Sequence, residues 1–268
     1  VKVLVFSDTH LGHPGWGTFG YDVFDAANRI ARSDSIDVVL FCGDLVEPSN
    51  QAMTLDDGLR KLAAIPAKHH LWVAGNNDIE FLPRKSIMQY HQPLAFKAQA
   101  YGVQLLDAGY VVIDNVGFAG NFGFYDLSLW RNPKVIVSEY PVNYPDLYRT
   151  VSEFHKDEMG FDFMDLFKQC QMTLWRHIQT LVSRNLKIVV ATHMVPGPEF
   201  LLYGESPAYD YQNAWMGWDD SKSASPIANT PGLVYQFCGH THRSKTVKRL
   251  NSTLMNVSGQ DQPYLFEV

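Results

Sequence analysis

The sequence predicts an α/β fold in which two mixed β-sheets pack face to face with helices outside. Three observations carry this. In the first half, short apolar runs alternate with helical patterns in the order β-α-β-α-β, which implies neighbouring parallel strands joined by right-handed crossovers. Two strand-like runs, 110–114 and 116–120, then stand one residue apart and read as a tight antiparallel hairpin. After a long helical pattern come four more strand-like runs, and two packed sheets accommodate them all.

The elements follow in order. VKVLVF (1–6) is an apolar strand, and Tyr21 to Arg32 carries Val23, Phe24, Ala27 and Ile30 at helical spacing. DVVLFC (37–42) is a second strand, Leu55 to Ala64 a helix, and HLWVAG (70–75) a third strand, followed by a polar turn. YVVID and VGFAG form the hairpin. From Phe163 to Leu181 apolar residues recur at Phe163, Leu166, Phe167, Cys170, Leu174, Ile178 and Leu181, one face of a long helix. KIVVAT (187–192), LVYQFC (233–238), TLMNV (253–257) and PYLFEV (263–268) complete the strands.

Two irregular aromatic-rich stretches, 121–150 and 196–231, contain Trp130, Tyr140, Tyr144, Tyr148, Tyr203, Tyr209, Tyr211, Trp215 and Trp218. They are read as insertions that form either a satellite cluster over the core or a lid over a pocket. No repeat, low-complexity tract or linker interrupts the 268 residues, so one domain spanning 1–268 is expected.

A net charge of -6 gives no general attraction to nucleic acid or an anionic membrane, although bound cations or a local basic patch could create one. Cys42, Cys170 and Cys238 are an odd set without close pairing, and buried free thiols are expected. There is no apolar run of about 18 residues and no basic-then-apolar leader, so no membrane partner and a cytoplasmic setting are expected.

Five strand-like runs end in metal-ligand residue types. Ser7-Asp8-Thr9-His10 follows the first strand, Gly43-Asp44 the second, and Gly75-Asn76-Asn77-Asp78 the third; His193 and Gly239-His240-Thr241-His242 follow two later ones. Carboxyl ends of strands are where ligands gather in open α/β sheets, so these residues are expected to converge. Singly, each has an ordinary reading as a turn, a cap or a half-buried histidine. Alternation would put His240 and His242 on one face, which suits two ligands at one centre.

As an ordered set, Asp-x-His, Gly-Asp, Gly-Asn-x-Asp, a lone His and Gly-His-x-His, the blocks resemble the calcineurin-like metallophosphoesterases. That resemblance implies a four-layer αββα sandwich and two transition metal ions, Mn²⁺, Fe²⁺ or Fe³⁺, or Zn²⁺. It implies that Asp8, His10 and His242 hold one ion, that Asn76, His193 and His240 hold the other, and that Asp44 bridges them. Carboxylates offset the cationic charge, neutral imidazoles suit first-row transition metals, and one carboxylate has two oxygens with which to span two ions. A metal-bridging hydroxide would then attack phosphorus in line with the departing alkoxide.

Many relatives have His where this chain has Asn77, beside an acidic residue such as Asp78 that orients it. Asn77 cannot deliver a proton at neutral pH, and a positioned general acid contributes about 10²–10⁴-fold. The change is read as a shift of substrate class towards a small or medium phosphodiester. His13, in Asp8-Thr9-His10-Leu11-Gly12-His13, is the first substitute for the missing imidazole, and Tyr125 and Asp126 are further substrate contacts to test. Glu47 reads as a surface or capping residue, with a place beside the ligands as the sharper alternative. His69, His70, His91, His155 and His177 receive structural readings, and Lys245, Lys248 and Arg249 read as a solvated edge before a phosphate patch. A nuclease is the second enzyme reading, since Asp-x-His-Leu-Gly also resembles the opening of DNA-repair nucleases in the family, but the acidic balance disfavours it. A scaffold that has lost catalysis is the third, and the intact ligand set counts against it.

Overall fold

The computed structural model describes residues 1–49, 53–130, 163–203, 210, 212–223, 226–249 and 251–268, and two β-sheets lie at its centre. The first sheet comprises β1 (Lys2–Phe6), β2 (Val38–Phe41), β3 (His69–Trp72), β4 (Val103–Leu105) and, as its antiparallel edge beside β1, β11 (Tyr264–Glu267). β1 to β4 run parallel, with Val3 opposite Val38 and Val38 opposite His69. α1 (Phe19–Ser33), α2 (Leu55–Ala63), the short α3 (Asn76–Glu80) and α4 (His91–Gln99) occupy its crossovers.

The second sheet has the order β5 (Val111–Ile113), β6 (Val116–Asn121), β7 (Lys187–Thr192), β8 (Leu233–Cys238), β10 (Thr253–Asn256), β9 (Lys245–Lys248), with α5 (Phe163–Ser183) packed against β6 and β7. Its four central strands are parallel and both edges antiparallel. The expected pair of mixed sheets flanked by helices is therefore the architecture observed.

Period-two alternation explains the layering. Val3, Val5, Val38, Leu40, Leu71 and Val73 meet Phe118, Val189, Ala191, Phe237 and Met255 in one buried cluster between the sheets. Leu4, Phe6, Val39, Phe41 and Trp72 face the other way and join Val23, Phe24 and Leu59 of the helices. Phe24 meets Phe6 edge-on at 5.5 Å. Strands β1, β2 and the central strands of the second sheet are buried on both faces, which is why they read as unbroken apolar runs.

The hairpin turns on Asp114 (φ 45°) and Asn115 (φ 64°), two left-handed residues where one was expected. The polar turn expected after β3 is the first turn of α3, closed by the Asp78 carboxylate accepting the Gly75 N–H. β3 begins at His69, one residue before the start expected at His70. All three cysteines are free and buried, as expected. Among the described residues no helix is long and apolar enough to cross a membrane. Tyr140, Tyr144, Tyr148, His155, Tyr209 and Tyr211, with most of the 121–150 stretch, lie outside the described residues.

Candidate metal centre

The strand ends bring two groups of potential ligands together. Asp8, His10 and His242 offer donor atoms within 4.8 Å of one another, as do Asp44, His193 and His240. Asp8 and His10 follow β1, Asp44 follows β2, Asn76 opens α3 after β3, His193 follows β7, and His240 and His242 follow β8. Both sheets thus contribute residues to one cleft.

Asp44 stands between the groups: its Oδ2 lies 3.5 Å from His10 Nε2 and 3.4 Å from His193 Nε2. His10 Nε2 and His242 Nε2 face each other at 3.1 Å, and His193 Nε2 and His240 Nδ1 at 3.2 Å. Asn76 Oδ1 lies 3.0 Å from His193 Nε2, and His242 Nε2 is 3.2 Å from Asp8 Oδ1. All seven motif residues therefore border one small space.

The backbone is bent to achieve this. Asp8, His10, Asp44, His240 and His242 all have positive φ, between 39° and 70°. Left-handed non-glycine residues cost roughly 1–3 kcal/mol each and gather at functional sites. Neighbouring contacts hold the bends: Asp8 N–H donates to Gly43 O, the His240 N–H reaches both Asp8 oxygens at 3.0 Å, and Asn256 Nδ2 donates to Gly239 O and Thr241 Oγ1. Gly75 and Gly239 are required by close approach, since a Cβ would collide with the Asp44 and Asp8 carboxylates respectively.

Electrostatics point the same way. Burial pushes Asp44 up, but His193, His10 and His240 more than offset it and hold the carboxyl below its usual range. Asp8 is likewise lowered, with His242 and His193 overcoming its burial. Burial lowers His193 while Asp44 and Asp8 raise it further, to about 9, whereas burial and the charge of His193 push His240 down to about 3. Burial lowers His10 too, but Glu47, Asp44 and Asp8 more than offset it and raise it, so the buried carboxylates call for positive charge beside them.

A family model described as calcineurin-like phosphoesterase matches residues 1–244. The chain belongs to that family. Phosphopantetheinyl hydrolase from Mycobacterium tuberculosis has a similar structure, with a TM-score of 0.62 at 16% identity, covering 96% of this chain and 88% of that one. A dimetal phosphatase from Danio rerio gives a TM-score of 0.55 at 14% identity, covering 96% and 87%. At such identities the likeness is one of fold. No match was found among curated proteins.

Calcineurin-like phosphoesterases are metal-dependent, and the family implies two divalent ions. The donor set fits them: two buried carboxylates, one amide oxygen and four imidazoles, with two pairs of ring nitrogens facing each other in the way a shared cation would resolve. The His193 tautomer is suited as well, because its Nδ1–H donates to Cys42 O at 2.9 Å and leaves the Nε2 lone pair towards Asp44.

The remaining expected site residues are placed differently. Asn77 borders the cleft, its backbone N–H donating to Asp44 Oδ1 at 2.9 Å and its Nδ2 lying 2.9 Å from His10 Nδ1 and 3.1 Å from Glu47 Oε2. Asp78 is fully buried and accepts N–H groups from Gly75, Asp44 and Leu45, so its carboxylate ties the ends of β2 and β3 together. Burial, then the nearby Asp44 charge, push it up to about 7. His13 accepts the Gly15 N–H within its own turn, with its ring centroid 6.3 Å from that of His10. Tyr125 is buried, stacked 4.0 Å from Phe124 and edge-on to Trp215, while Asp126 accepts the Ser128 N–H in a turn.

Other residues enter the site without a motif to announce them. Glu47 Oε2 lies 3.4 Å from His10 Nδ1, the sharper of its two sequence readings. Trp16 packs edge-on against His10 and His242 at 4.6 and 4.7 Å. The cleft beside the centre has a volume of about 480 Å³ and is walled by Phe200, Leu201, Leu202 and Met216 from the 196–231 stretch. Lys245 and Arg249 anchor that wall through Glu199, as Lys245 Nζ donates to Glu199 O at 2.7 Å and Arg249 Nη2 reaches Glu199 Oε1 at 3.2 Å. Lys248 donates to Thr253 within the sheet.

Proposed function

We propose that this chain hydrolyses small phosphate esters, diesters in preference to monoesters, at a pair of transition metal ions. Asp8, His10 and His242 would hold one ion, Asn76, His193 and His240 the other, with Asp44 shared. The observation that carries the reading is the single oxygen Asp44 Oδ2, facing His10 and His193 at 3.5 and 3.4 Å. When bound, two such ions supply an acidified water and positive charge for the phosphoryl oxygens. The chain contributes preorganisation: the Asn77 N–H fixes the rotation of the Asp44 carboxylate, and Cys42 O fixes the His193 tautomer.

Asn77 supports the diester preference. Its amide brings no charge, so less positive charge faces the phosphoryl group than an imidazolium would bring. A monoanionic diester needs less compensation than a dianionic monoester. The amide also orients its neighbour, since Asn76 Nδ2 donates to Asn77 Oδ1 at 2.6 Å, leaving Asn76 Oδ1 towards His193.

The test is hydrolysis of bis-p-nitrophenyl phosphate against p-nitrophenyl phosphate with Mn²⁺, Fe²⁺ or Zn²⁺, alongside elemental analysis. The expected result is two ions per chain, a higher kcat/KM for the diester, and loss of both bound metal and turnover in Asp44→Asn. Protein loaded with two ions that cleaves neither ester would overturn the proposal.

A further inference from the structure

The same cleft carries information about the part of the substrate that does not react. Four of its lining residues, Phe200, Leu201, Leu202 and Met216, present an apolar wall; Arg243, directly after His242, lines the same cavity. Arg243 is exposed and has no hydrogen-bond or ion-pair partner among the described residues. Its basic neighbours are engaged elsewhere: Lys245 with Glu199 O, and Arg249 with the Glu199 and Asp220 carboxylates at 3.2 and 3.9 Å. Among the described residues lining the cleft, Arg243 is thus the Lys or Arg side chain left for a ligand.

We propose that the cleft takes a phosphate ester whose alcohol bears an apolar chain and a second anionic group, the chain lying against Phe200, Leu201, Leu202 and Met216 and the anion on Arg243. This rests on the phosphoester reading above. Charge balance argues for the second anion. Two divalent ions set against Asp8, Asp44 and the attacking hydroxide would leave a single net positive charge, which a monoanionic diester neutralises by itself, so Arg243 is surplus to the scissile phosphate. A guanidinium forks onto carboxylate or phosphate oxygens in two parallel hydrogen bonds. The volume of about 480 Å³ falls within the usual range for a small-molecule site and leaves room for a chain beyond the phosphoryl group.

The experiment uses metal-loaded protein and p-nitrophenyl alkyl phosphates. One series lengthens the alkyl group from methyl to hexyl; the other ends the hexyl chain in a carboxylate or in its neutral carboxamide. Wild type is expected to gain about tenfold or more in kcat/KM along the first series, and to prefer the carboxylate over the carboxamide about fivefold or more. In Arg243→Met that second ratio falls to about one, and Leu201→Ser flattens the first series. If Arg243 instead served the scissile phosphate, Arg243→Met would slow all substrates equally and leave the ratio unchanged, which overturns the assignment. Calorimetric titration with a carboxylate-ended hexylphosphonate tests the subsite independently of turnover. Binding about tenfold weaker in Arg243→Met supports the proposal, while equal affinity rejects it. Absence of hydrolysis from every diester, with that difference in affinity retained, would sink the phosphoesterase reading and leave the subsite standing.

Discussion

The Asn77 amide touches the two residues whose orientation matters most at its end of the cleft, Asn76 and His10, and it also meets Glu47. Two predictions belong here. Asn77→His restores an ionisable group near the phosphoryl position, and the ratio of monoesterase to diesterase kcat/KM is expected to rise at least tenfold; an unchanged ratio would remove Asn77 as the determinant. Glu47 Oε2 faces His10 Nδ1, the ring nitrogen turned away from Asp8 and Asp44. Carboxylates in that position orient a ligating imidazole and raise its basicity, so Glu47→Gln should weaken metal binding about 10–100-fold by chelator competition. Unaltered affinity would show that Glu47 merely contacts Ser49, to which it is also hydrogen-bonded. The seven ligand types were legible because each sits in a short polar block after an apolar run. Glu47, Trp16 and Arg243 carry no such signature, and their relevance comes from side chains meeting across distant loops.

Elements divide along the strength of their local pattern. β1, β2, β7, β8 and α5 are long or wholly apolar and stand out in the sequence, whereas α4 buries only Leu94 and Ala98, β4 has three residues, and β9 reads simply as a basic run. β9 lies at a sheet edge, where charged side chains discourage pairing with another chain, and this accounts for its lysines. Its neighbour Arg249 has a second task, gripping Glu199 beside the cleft wall. Glu199→Ala should therefore loosen Phe200 to Leu202 and raise KM severalfold for a long-chain diester, with bound metal and kcat for methyl p-nitrophenyl phosphate nearly unchanged. A parallel loss of metal would mean that Glu199 supports the centre itself. The aromatic insertions were recognisable as irregular, but the choice between satellite cluster and lid was not. Among the described residues of these stretches, Tyr125 and Trp218 are buried, while Phe200, Leu201 and Met216 border the cleft.

Across the whole molecule, Asp107 joins the two sheets. It accepts the Ala74 N–H beyond β3, the Phe122 N–H beyond β6 and the Tyr90 hydroxyl, at 3.0, 2.7 and 2.6 Å. Burial nevertheless dominates and pushes its carboxyl up to about 6 from 3.8. The native state then holds the proton more tightly than the unfolded chain, so stability from this group is full below about pH 4 and is lost as pH rises through about 6. The gap corresponds to roughly 3 kcal/mol. Urea midpoints measured from pH 4 to 7 should fall less in Asp107→Asn than in wild type, the remaining decline belonging to Asp78, whose buried carboxyl is raised as well; parallel pH profiles would contradict it. The sequence by itself determined the alternation of strands and helices, the two-sheet class and the residue types of the centre, because apolar periodicity and short motifs are local properties of the chain. Tertiary structure alone decided that Asp78 is a backbone tie and that Arg243 shares a cavity with an apolar wall. Those facts depend on how two sheets and their loops meet in space, and contacts between residues tens of positions apart or more leave no periodic trace along the chain.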